Sequence, residues 1–146
     1  MTSETLLVLG RLSANLNRSL ANYLSDAVPY FAGANNDVGT TLQFIVKNQR
    51  DMVERLNDLI VENGGAVENG HFPIHFSGLH DLGIDYLIDG LVSHQEATIV
   101  EIEKMRDELA LAPHARALAE ETLGEAKGHL DSLLEIQGKI EKNSTI

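Results

Sequence analysis

Cysteine and tryptophan are both missing from this sequence of 146 residues, which holds three prolines and only 5% aromatic residues. Without cysteine there is no disulfide, no thiolate metal site and no cysteine nucleophile, and nothing in the composition encodes a redox compartment. Basic residues are scarce as well. Eleven Lys and Arg stand against 22 Asp and Glu, for a formal net charge of −11. That balance disfavours binding to nucleic acid or to an anionic membrane surface, both of which need a basic patch. No apolar run approaches the length of a membrane span. The start, Met1-Thr2-Ser3-Glu4 followed by Leu6 to Leu9, lacks the basic flank and long apolar run of a signal peptide, so a cytoplasmic location is the expectation. No Gly-x-Ser-x-Gly elbow and no phosphate-cradling glycine loop between a strand and a helix occurs.

What the chain does have is aliphatic bulk. It is 43% hydrophobic, mostly Leu, Ile, Val and Ala, and its length suits one domain with a real core. The apolar residues recur every three or four positions, the spacing of one buried helix face. Four helices are expected, at about 3–28, 37–63, 77–110 and 113–141, within a single domain spanning 1–146. The first carries Leu6, Leu9, Leu16, Leu20, Tyr23 and Ala27 inward, with Ser3 able to cap its start and Pro29 bending or ending it. Asp37 caps the second, whose row is Leu42, Ile45, Gln49, Met52, Leu56 and Leu59. Asn63-Gly64-Gly65 stops it, because glycine tolerates the left-handed conformation just past a helix end. The third has the row Ile84, Leu87, Leu91, His94, Thr98, Glu101, Met105 and Leu109. Pro113 opens the fourth after a tight connection. That helix turns Leu118, Thr122, Leu123, Ala126, His129, Leu130, Leu133 and Ile140 inward.

The segment between the second and third helices sets the topology. From Gly64 to Phe76 it is 13 residues, enough to span roughly 43–47 Å when extended. A helix of about 27 residues is roughly 40 Å long, so the segment can run the length of the bundle and leave the two helices parallel. One long crossover between two helical hairpins is the ferritin-like arrangement.

Particular stretches carry a resemblance of the same kind. Asn17-Arg18-Ser19-Leu20-Ala21-Asn22-Tyr23-Leu24, Phe72-Pro73-Ile74-His75-Phe76, Leu79-His80-Asp81-Leu82-Gly83-Ile84-Asp85-Tyr86-Leu87 and Gly128-His129-Leu130 make the whole chain resemble a small, uncharacterised bacterial protein of the ferritin-like superfamily. The resemblance implies an all-α, ferritin-like four-helix bundle with a long crossover between helices two and three. It also implies a carboxylate on helices one and three and a Glu-x-x-His on helices two and four. Here helix one has only Ser13, Asn17 and Tyr23 near its centre, and helix two reads Gln49-Arg50-Asp51-Met52. Helix four reads Ala126-Lys127-Gly128-His129. Glu101 and His129 match the pattern and the other positions depart from it, so the di-iron motif is degenerate.

Four residues nevertheless gather on inward rows near mid-helix: Gln49, His94, Glu101 and His129. His94, Glu101 and His129 could hold zinc or iron with water in an open position. His94 and Glu101 lie two turns apart, roughly 10 Å of rise, so one of them would serve from outside the first coordination sphere. Alternatively the four form a polar core layer that fixes helix register. Further readings attach to His71, His75, His80 and Asp81, as zinc ligands or as capping and subunit contacts. Glu125 and His129, one turn apart, could act as a general-base pair; more often such carboxylates, with Glu120 and Glu121, form a solvated face. The apolar start Leu6-Leu7-Val8-Leu9 is apolar all round its turn, which suits a homodimer.

The expectation is a non-enzymatic, oligomeric binding or interaction protein with no cofactor, recognising a partner or a small ligand. The alternative is a metal-binding, oxidoreductase-type bundle using the interior His and Glu residues with iron or zinc. A third reading is a carrier of an apolar ligand, with room beside Thr122 and Ala126.

Overall fold

A computed structural model of the chain describes residues 1–24, 36–67 and 84–144, with backbone alone at 36–37, 84–86 and 142–144. Among these residues the secondary structure is entirely helical. The elements are α1 (Ser3–Asn17), α2 (Leu20–Leu24), α3 (Asn36–Glu62), α4 (Ile84–Glu108) and α5 (Pro113–Ser144). Four long helices and one short continuation make a helical bundle, and no described helix is long and apolar enough to cross a membrane.

Local chemistry explains where the helices begin and end. Thr2, not Ser3, caps α1: its hydroxyl accepts the Thr5 N–H at 3.1 Å, and Glu4 in the first turn complements the helix dipole. Pro113 opens α5 as expected, since its missing N–H costs nothing at the first helical position. The end of α3 is a Schellman motif. Gly65 N–H bonds to the Ile60 carbonyl at 2.9 Å and Gly64 N–H to that of Val61 at 3.0 Å. Gly64 sits at φ 83° with open space around it, so Gly64→Ala isolates the backbone penalty. It should destabilise the protein by roughly 1–2 kcal/mol, read as a thermal midpoint several degrees lower at unchanged helix content.

The first helix does not run unbroken to residue 28. It stops at Asn17 and restarts at Leu20, while residues 25–28 lie outside those described. The cause is a run of polar residues that bond to the backbone locally. Ser19 Oγ accepts the Asn22 N–H at 3.0 Å, which caps α2, and Asn22 Nδ2 donates to the Asn17 carbonyl at 2.7 Å.

Side-chain pairings give the helix directions. Ser13 bonds to Asn57 and Ser19 to Gln49, so α1 and α3 are antiparallel. Arg11 pairs with Glu108 and Leu20 with His94, so α1 and α4 are antiparallel as well. Arg55 with Glu121 and Phe44 with His129 set α3 against α5. Gln95 with Ala126 and Asp89 with Gln137 set α4 against α5. Helices α3 and α4 therefore point the same way.

The interior divides in two. One apolar cluster joins Leu9, Leu12, Leu56, Ile102 and Leu109 with the first turns of α5. The other joins Leu24, Leu42, Ile45, Ile88 and Leu133. Partly buried Leu130 touches both. The row expected on α3 is buried throughout, including Gln49.

On α4 the expected row is buried at Leu87, Leu91, Thr98, Met105 and Leu109, with His94 half-buried at its edge, and Glu101 is the member that departs. Glu101 is exposed, whereas Ile102 is fully buried, together with Val92, Gln95 and Ile99. Burial of the branched side chains Val92, Ile99 and Ile102 widens the buried face on the side away from Glu101, so that Glu101 and Lys104 stay in water, which a charged group strongly prefers.

Candidate functional site

Between the two apolar clusters lies a polar belt, formed where each helix places a polar residue at the same height. Ser19 Oγ, at the joint of α1 and α2, donates to Gln49 Oε1 of α3 at 2.7 Å. The Leu20 N–H, freed from helical bonding by that joint, donates to His94 Nε2 of α4 at 3.3 Å. Gln95 Nε2 donates to the Ala126 carbonyl of α5 at 2.9 Å. Ser19, Gln49, Gln95 and His129 are all buried. The Ser19 hydroxyl, the Gln49 and Gln95 amides, the His94 imidazole and the Leu20 and Ala126 backbone bond to one another in pairs, as burial of polar groups favours.

This belt brings together two of the four residues singled out from the sequence, Gln49 and His94. His94 is half-buried, and its Nε2 lone pair is engaged with Leu20. That bond assigns the ring proton to Nδ1, because an acceptor nitrogen must be unprotonated. Glu101 lies on the solvent side of α4, which corrects its expected place on the inward row. His129 sits one turn beyond Ala126, 5% exposed, with its ring edge-on to Phe44 at a centroid distance of 6.2 Å and 87° between planes. Among the described residues no group of three or more His, Asp or Glu is placed to hold one metal ion. His71, His75, His80 and Asp81 lie outside the described residues.

Burial pushes the His129 imidazole down to about 4, because an apolar surrounding disfavours the charged ring. A neighbouring carboxylate would have raised it, so the general-base reading of Glu125 with His129, the less favoured of the two, is not expressed in its proton affinity. Glu125 is itself held above the ordinary carboxylate range, first by burial, then by Glu121 and Asp51, against the pull of Arg55. Its neighbour Glu121 is held low by a two-pronged contact with Arg55, at 2.7 and 2.8 Å. Glu120 and Glu121 are exposed and Glu125 is half-buried. The acidic stripe is thus mostly a solvated, partly paired helix face.

Near the C-terminal end of α3, Arg55, Asp58, Leu59, Glu62, His114 and Leu118 line a depression of about 250 Å³. It opens to solvent and its rim is charged, unlike the enclosed apolar pocket that an apolar-ligand carrier needs.

Gln95 and Ser19 are the members of the belt that the sequence analysis missed. Gln95 was legible, since it falls three and four residues from Leu91, Val92, Thr98 and Ile99 on the buried stripe. Ser19 was hidden by the assumption of a continuous first helix.

Removing the Ser19 hydroxyl tests the belt. Ser19→Ala deletes the cap of α2 and leaves the Gln49 amide oxygen without this donor in a buried place. The expected loss is about 1–3 kcal/mol, measurable by urea denaturation. A loss within experimental error would show that the belt contributes nothing to stability. Compared with protein-family models and with curated proteins, the chain matches none of them.

Proposed function

We propose that this chain is a ferritin-like four-helix bundle, with one long crossover between α3 and α4, that works as a non-enzymatic, self-associating interaction protein. The parallel course of α3 and α4 supports the crossover, because a connection between parallel neighbours in a bundle has to return along its length. The observation that carries the functional reading is the belt itself. At mid-bundle height, where a ferritin-like enzyme gathers carboxylates, this chain offers Ser19–Gln49, Leu20–His94 and Gln95–Ala126 hydrogen bonds. These partners fix the height of one helix against another. In this reading the belt sets register, and the protein's activity lies on its surface.

Elemental analysis of protein purified without chelator or metal-affinity resin tests the reading. The expected result is far less than one iron, manganese or zinc per chain, with no uptake when iron or zinc is supplied. Near-stoichiometric metal that is lost in His129→Ala would instead establish the metal-binding, oxidoreductase-type alternative.

A further inference from the structure

The depression at the end of α3 is polarised along its length. Its volume is about 250 Å³. The buried side chains Leu59 of α3 and Leu118 of α5 give it an apolar floor, and the exposed Arg55, Asp58, Glu62 and His114 surround it. Arg55 and Glu62 are two turns apart on α3, roughly 10 Å of rise. Helix α5 runs the other way past them. Arg55 meets Glu121, so His114, the same two turns before Glu121, comes level with Glu62. One end of the depression therefore holds a guanidinium and the other a carboxylate and an imidazole, with the aliphatic floor between.

Neither end is saturated. Glu121 grips Arg55 through both terminal nitrogens at 2.7 and 2.8 Å, but a guanidinium carries more N–H donors than one carboxylate accepts. The grip also holds the side chain in place, so a ligand orders it at little further cost. At the other end, Glu62 closes α3 with no basic residue in that last turn. Among the described residues neither Glu62 nor Asp58 forms an ion pair. Carboxylates at the negative end of a helix dipole are unfavourably placed until a cation joins them.

We propose that this depression binds a small zwitterion of the ω-amino acid class, its carboxylate on Arg55, its ammonium on Glu62, Asp58 and His114, and its aliphatic chain on Leu59 and Leu118. A diamine would set a cation against Arg55 and a dicarboxylate would set an anion against Glu62, so charge selects the zwitterion. The site goes beyond self-association and stands or falls apart from it.

Isothermal titration calorimetry of the full chain with ε-aminocaproate tests the site, with caproate and hexylamine as probes that each lack one charge. The expected result is saturable binding of ε-aminocaproate, with either single-charged probe weaker by about tenfold or more. Arg55→Gln and Glu62→Gln should each weaken ε-aminocaproate by about the same factor, at unchanged far-ultraviolet circular dichroism. Arg55→Gln also releases Glu121, so Glu62→Gln, which breaks no ion pair, decides. No saturable heat at millimolar ε-aminocaproate overturns the proposal. So does hexylamine binding as tightly as the zwitterion, or an affinity unchanged in Glu62→Gln.

Discussion

Replacing Ile102 with alanine should cost ~2–5 kcal/mol, whereas Glu101→Ala, one residue earlier, should stay within ~0.5 kcal/mol. Ile102 is fully buried in the first apolar cluster, so truncation removes three carbons' worth of burial and leaves a cavity among Leu12, Leu56 and Leu109. Glu101 faces water, and its loss removes only a solvated charge. For a chain of this size the alanine at 102 corresponds to a thermal midpoint lower by roughly 5–20 °C. The comparison decides more than stability. Equal or reversed costs would put Glu101 on the inside of α4 and overturn its placement in solvent. The expected asymmetry keeps Glu101 out of any interior site.

The same pair of residues shows how far the sequence could be read. The rows on α3 and α5 are nearly unambiguous, because their apolar residues follow a single stripe. Gln49 and His129 therefore stood out as polar intruders and are buried. On α4 the apolar positions Leu87, Ile88, Leu91, Val92, Ile99 and Ile102 are broad enough to support two phases about one residue apart. Both are buried: Leu87, Leu91, Thr98, Met105 and Leu109 of the expected row, and Ile88, Val92, Ile99 and Ile102 beside it, so the stripe is wider than one row and its edge leaves Glu101 in water. Glycine and proline signals were reliable, since Gly64 and Pro113 act through backbone geometry that depends little on the surroundings. The break at Ser19 was not legible. Asn17-Arg18-Ser19 is compatible with a continuous helix until a partner across the bundle, here Gln49 and His94, rewards the interruption.

His129 should give the protein an acid-sensitive stability that His129→Leu abolishes. Its imidazole titrates near 6.5 when the chain is unfolded and at about 4 when it is folded. Above pH 6.5 the ring is neutral in both states and makes no difference. Between 6.5 and 4 the unfolded chain binds a proton that the folded chain refuses, so stability must fall as the pH is lowered through this window. Partial screening by solvent reduces the full linkage value, leaving an effect on the order of 2 kcal/mol. Glu125 works in the opposite sense, because its raised affinity favours the protonated folded state as the pH falls. Glu125→Gln should therefore steepen the acid loss. The contribution of Glu121, held low by Arg55, disappears only as the pH drops below the ordinary carboxylate range. Urea midpoints across this range should thus slope in the wild type and flatten in His129→Leu. An equal slope in both proteins would show that His129 can reach water in the folded state. Repeating the series with zinc adds a second test of the interior. A metal held by His129 would compete with the proton, raise stability and carry it to lower pH. The hydrogen-bonded belt and the solvent-facing Glu101 predict superimposable curves with and without the ion.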